Sequence, residues 1–216
     1  MGQTFLNIFY AKEMELLRPK DFSILTSNRK YDCHTTEVEF KTSLYRPISF
    51  ALDYRFGSRI NYDSPDGVAP FLAGRTSLNT TLTIRPSKSL RVDNTYLLFR
   101  LHNQLGSTGT MNNHIIRSKW NYQYTRKLSF RFIGEYNAVL ANPAFTFLET
   151  TKNFNADFLI TYLIHPSTAF YVGYKSNLEN LLLPLRTDVD GDLLDGGRMR
   201  NDGRGLFVKA SYLFRF

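Results

Sequence analysis

The chain has 216 residues, of which 43% are hydrophobic, 21% charged and 15% aromatic, with a net charge of +8 and a mean hydropathy of -0.29. Its uninterrupted apolar runs are only a few residues long, far short of the roughly 20 that a membrane-crossing helix needs, so a helical membrane protein is excluded. A transmembrane β-barrel is not excluded, because its lipid-facing residues alternate with polar ones and the average comes out near neutral.

The amino terminus, MGQTFLNIFY, lacks the basic and apolar regions of a secretory signal. Leu6 stands where the myristoylation pattern needs Ser or Thr. An export signal, if the protein is exported, is therefore expected upstream of this sequence. Residues 1–30 hold no more than one or two strands by pattern, and "AKEMELLRPKDFSILTSNRK" suggests a helical turn at Glu13–Arg18 before Pro19.

From residue 31 to 216 the alternation is persistent. "TEVEFKTSL" opens it, and "PISFALDYRFGSRINY" sets Ile48, Phe50, Leu52, Tyr54 and Phe56 against Asp53, Arg55 and Arg59. "SLNTTLTI", "IIRSKWNYQY", "KLSFRFIGEYNAVL", "NADFLITYLI", "TAFYVGY" and "GLFVKASYLFRF" follow with the same period of two. Nearly all the large apolar residues take even positions, whereas Arg55, Arg59, Arg75, Arg91, Arg117, Lys119, Arg131, Lys175 and Lys209 take odd ones. The rule breaks in "NTYLLFRLH", where Leu97, Phe99 and Leu101 are odd and Arg100 is even. A bulge near Thr95 or Tyr96 would restore it.

Tight junctions at Arg46-Pro47, Pro86-Ser87-Lys88, Thr125-Arg126-Lys127 and His165-Pro166-Ser167 alternate with polar stretches at roughly 62–75, 102–112, 141–152 and 179–204. Short turns at one end and long loops at the other are the pattern of an outer-membrane barrel. The expected fold is thus all-β, an antiparallel up-and-down transmembrane β-barrel. Ten or eleven candidate strands and the missing export signal suggest the carboxy-terminal part of a larger barrel, since bacterial single-chain barrels use an even number; an independent small barrel of ten strands is the alternative.

On this reading the lumen is lined by Arg55, Arg59, Arg91, Arg117, Lys119, Arg131, Glu135, Asp157 and Lys209, which would bias it toward anions. Trp120, Tyr122, Tyr124 and Tyr162 approach the short turns, where an aromatic membrane girdle belongs. From about Leu90 onward, "WNYQYTRKLSFRFIGEYN", "LITYLIHPSTAFYVGYKSNLEN" and "GRGLFVKASYLFRF" resemble the carboxy-terminal barrel of an uncharacterised family of bacterial outer-membrane proteins. Members of that family carry an amino-terminal carbohydrate-binding domain of the family-nine type, which this sequence lacks, and the resemblance brings no catalytic motif. The last strand, with Tyr212, Phe214 and Phe216, also resembles the signal read by the barrel-assembly machinery.

Other constellations are weaker. In His165-Pro166-Ser167 the proline and the turn spoil a base held against a hydroxyl. "DVDGDLLD" gathers Asp188, Asp190, Asp192 and Asp195, but Leu193 and Met199 occupy positions where a calcium-binding EF-hand needs Gly and Glu. Cys33 is the only cysteine, which precludes an intrachain disulfide, and it reads as a loop thiol; His34, His102 and His114 read as loop or rim residues without ligand spacing. The basic residues form no run, which argues against nucleic acid.

The expected function is non-enzymatic: a channel, uptake component or membrane anchor in the bacterial outer membrane, with a basic lumen and no cofactor. Expected partners are outer-membrane lipid, the assembly machinery and an anionic or saccharide solute. The alternatives are a soluble β-sandwich that binds carbohydrate, or an outer-membrane hydrolase.

Overall fold

The computed structural model of the chain describes residues 2–103, 110–165, 168–180 and 199–212. Alternating side chains and turn-forming junctions produce ten strands: β1 (Thr4–Leu17), β2 (Arg29–Tyr45), β3 (Ile48–Asn61), β4 (Phe71–Ile84), β5 (Leu90–His102), β6 (Thr110–Gln123), β7 (Leu128–Ala141), β8 (Thr151–His165), β9 (Thr168–Asn180) and β10 (Arg200–Tyr212). They form one antiparallel sheet in which spatial order equals chain order. β1 and β10 are its two edges and do not pair with each other, so the sheet is open.

The register keeps each face of the sheet in one parity. One row runs Leu6, Phe40, Leu52, Thr80, Tyr96, Ile116, Tyr136, Phe154 and Leu178, even from β1 to β9. A neighbouring odd row runs Phe5, Lys41, Ala51, Thr81, Thr95, Arg117, Glu135, Asn155, Asn177 and Gly203. The register shifts fall near strand ends, at Thr42/Tyr45, Leu163/His165 and Asn201/Gly203.

No bulge occurs near Thr95 or Tyr96: β5 pairs in unbroken register with both neighbours, so Arg100 stays on the even face and Phe99 and Leu101 on the odd one. The helical turn at Glu13–Arg18 is not formed, because β1 continues to Leu17 against Arg29 of β2. Cys33 is a strand residue of β2, partly buried beside Leu17, Leu25 and Ile60, rather than a loop thiol. His34, His102 and His114 also lie in strands. The polar stretch expected to 75 ends sooner, since β4 starts at Phe71.

The physical reason for the broken alternation in β5 lies above it. The connection 142–150 folds back over the odd face, placing Phe145 against Ala73, Leu101 and Met111, with Phe71 and Phe99 packed around them. Phe145 is 1% exposed, and its ring meets Phe71 edge-on at 5.4 Å. Asn61 Nδ2 donates to the Phe145 carbonyl at 2.8 Å, and the Phe147 amide donates to the Asp63 carbonyl at 3.2 Å. The odd apolar residues of β5 are thus the floor that receives this loop.

A second small core at the same end joins Leu17, Leu25 and Ile60 to Phe22, Tyr31 and Ala69. There Tyr31 Oη donates to the Pro70 carbonyl at 2.6 Å, and Phe22 stacks on Tyr62. In β3, Gly57 has a φ of 150°, and a Cβ there would meet the carbonyl of His34. The glycine admits this close approach, and the ladder between β2 and β3 ends at Thr35–Gly57.

Truncating the loop anchor, Phe145→Ala, should remove about 3 kcal/mol from unfolding stability. The check is a urea titration of the refolded protein; an unchanged midpoint would contradict the packed-loop arrangement.

Candidate functional site on the odd-numbered face

The two faces solve their polar groups differently. On the even face, Phe132, Phe158, Phe170, Val172 and Tyr174 are among the exposed large apolar side chains, and no second sheet covers them among the described residues. Several of the polar groups that interrupt this face pair with one another. Ser118 Oγ donates to Asn94 Oδ1 at 2.7 Å and receives Trp120 Nε1 at 2.8 Å, Tyr96 Oη meets His114 Nδ1 at 2.9 Å, and the Thr4 and Thr42 hydroxyls meet at 3.0 Å.

Trp120, Tyr122, Tyr124 and Tyr162, expected as a girdle, share the even face near the short turns and are exposed. Tyr122 and Tyr124 cluster with Phe130, which stacks on Phe158.

Most of the charged strand residues lie on the odd face. Arg55 bridges Glu37 and Asp53, both at 2.9 Å. Arg91 Nε meets Asp93 at 2.9 Å, Arg117 Nε meets Glu135 at 3.4 Å, and Lys41 pairs with Glu39. Of the remaining residues expected in the lumen, Lys119 stands opposite Asp93 in the register, Asp157 opposite Lys175, Arg131 opposite Asn121 and Leu159, and Lys209 opposite Tyr171. Arg59 stands opposite Ala73 in β4. The ion pairs are half exposed to solvent, so each contributes little to stability.

Tyr212 ends β10, whereas Phe214 and Phe216 lie outside the described residues, as do Asp188, Asp190, Asp192, Asp195, Pro166 and Ser167.

The sequence reading passed over the acidic partners Glu37, Glu39 and Asp93, although each occupies an odd position in a strand pattern. Of the asparagines of the odd face, the pattern of "KLSFRFIGEYNAVL" shows only Asn137 among its polar residues. The Oδ1 atoms of Asn113, Asn137, Asn153 and Asn177 are buried without a hydrogen-bond partner. Only the register, which sets Asn137 directly against Asn153, brings these residues together.

One Ser–His contact also escaped it: Ser58 Oγ lies 3.0 Å from His34 Nδ1 and accepts the His34 amide at 3.1 Å. Ser58 is 2% exposed and Lys12 stands opposite His34, so the contact satisfies a buried hydroxyl and presents no carboxylate to orient the imidazole. Among the described residues, no group of three or more His, Cys, Asp or Glu side chains converges as a metal site would require.

No family model, curated protein or solved structure matches the chain, so the resemblance to an outer-membrane family rests on the quoted residues alone.

At the long-loop end Tyr62 hydrogen-bonds to Glu15, linking the connection after β3 to β1. Burial first, then the hydrogen bond and charge of that carboxylate, raise the Tyr62 hydroxyl above its ordinary pKa of 10.0. A raised folded-state value means that this contribution is complete below pH 10.0 and is lost as the pH climbs through the folded-state value. Spectrophotometric titration should show one late-ionising tyrosine that disappears in Tyr62→Phe. An identical alkaline profile in the variant would show that the Glu15 contact does not hold the proton.

Proposed function

We propose that this chain forms the wall of a non-enzymatic β-barrel in the bacterial outer membrane, a channel, uptake component or anchor whose odd face lines a water-filled, cation-rich interior. The observation that carries the reading is a nine-strand register with an apolar, exposed even face and a charged odd face. Its strands of 13–17 residues exceed the roughly 9–11 needed to cross a bilayer when tilted. Lipid is the partner of the even face, and the assembly machinery the reader of the strand that contains Tyr212.

In hydrocarbon neither β1 nor β10 can leave a bare row of amides, so each gains a strand partner. Ten strands set these two antiparallel, the orientation that direct closure requires; a larger barrel would instead insert further strands between them. The connection 142–150 narrows the interior at the long-loop end. Solutes drawn to such a lumen would be anionic or saccharide, the former by the unpaired cations and the latter by the asparagines.

The experiment is refolding into detergent and into lipid vesicles. A folded barrel should migrate faster than its heated form on a gel, and brominated lipids should quench the emission of Trp120, the only tryptophan. A chain that stays soluble and monomeric without detergent would overturn the proposal. Cysteines at Ile8 and Val208 in a Cys33→Ser background, joined by a short bis-maleimide, would link within one chain if the strands close on themselves. Failure to link in a folded protein would favour the larger barrel.

A further inference from the structure

A cavity of about 490 Å³ opens on the odd face at the short-turn end. Its geometry follows from the register. Arg91, Asn121 and Arg131 occupy one row on β5, β6 and β7, so two long cationic side chains stand on either side of a short amide. Two strand spacings separate their backbones by roughly 10 Å. The junction between β4 and β5 adds Arg85 and Lys88 to the lining, and Ser129 lines it with Asn121.

That junction is held in place. Ser87 Oγ accepts the amides of Ser89 and Leu90 at 3.2 and 3.1 Å, the Arg85 amide donates to the Pro47 carbonyl at 2.6 Å, and the Gln123 amide donates to the Ser89 carbonyl at 2.8 Å.

The charge is only partly compensated, because Arg91 alone of these cations has an ion pair among the described residues, with Asp93. No Asp or Glu lines the cavity. The carboxylate of Asp93 reaches Arg91 only through Nε, and Arg85, Lys88 and Arg131 have no ion pair among the described residues. Like charges gathered around one hollow call for an anion. Arginine guanidinium groups suit phosphate oxygens, and the amide and hydroxyl groups of Asn121, Gln123 and Ser129 suit the hydroxyl groups of an attached polyol. The volume falls in the range of small-molecule sites.

We infer that this cavity binds the phosphate monoester of a small polyhydroxylated solute, gripped between Arg91 and Arg131 beside Asn121, with Arg85 and Lys88 in the lining. The inference rests on the proposed odd-face lumen, because a soluble solute reaches the site only if that face is wet.

The test is calorimetric titration of the full chain, refolded in a neutral polyoxyethylene detergent, with glucose 6-phosphate, glucose and inorganic phosphate as probes. Glucose 6-phosphate should bind, glucose should not, and the affinity should fall with added salt. Arg91→Gln and Arg131→Gln should each weaken binding by about tenfold or more, whereas Arg204→Gln, on the even face of β10, should not.

Absence of binding, or binding indifferent to both cavity substitutions, would overturn the site. Equal affinity for inorganic phosphate would overturn the polyol part, and displacement of the ester by phosphatidate in the micelles would overturn a soluble occupant in favour of a lipid headgroup. Heat-modifiable migration, measured on every sample, separates the two levels. Folded protein without ligand binding overturns only the site, and protein that does not fold in detergent overturns the barrel.

Discussion

The whole arrangement depends on strand register. Side chains alternate at a period of two, so a slip of one residue at any pairing would exchange the faces of every side chain beyond it, carrying most phenylalanines to the charged face and most arginines to the apolar one. The ladders from β1 to β9 avoid that slip over their full interior and confine irregularity to the turns. This is why a chain of ordinary hydropathy can present two surfaces of opposite character without a segregated core. Its buried apolar residues are few and gather mostly at one end.

The long-loop end is where the alternation relaxes and packing takes over. Phe145 needs a dry floor, and Phe99, Leu101 and Met111 supply it at positions that elsewhere hold polar groups. Leu17 and Ile60 pack likewise against Leu25 of the connection before β2. Charged residues on the even face, such as Arg100 and Lys152, lie at this same end, beyond the aromatic rows near the short turns. The molecule therefore has a banded middle and short-turn end, and a compact cap.

Strand existence, face assignment and most turns were legible in the sequence, because Ile48 to Tyr62 or Leu128 to Leu140 spell out a two-residue period that no helix shares. What failed did so for tertiary reasons. The odd apolar residues of β5 imitate a bulge, yet they answer to a loop that returns from more than forty positions later. Glu13–Arg18 has helical composition, yet the ladder to β2 overrides that weak preference. Among the site residues, the basic ones were visible as single letters at odd positions. Their acidic partners and the row Arg91, Asn121 and Arg131 became visible only once neighbouring strands were set side by side.

The meander has one more consequence, and it concerns time rather than shape. Because each strand hydrogen-bonds only to the strands before and after it in the chain, every hairpin can form as soon as its two halves are available. Growth can proceed from either end by single additions without waiting for distant segments to meet. Joining the first strand to the last, if the ring closes on itself, is then the one slow search in an otherwise local process.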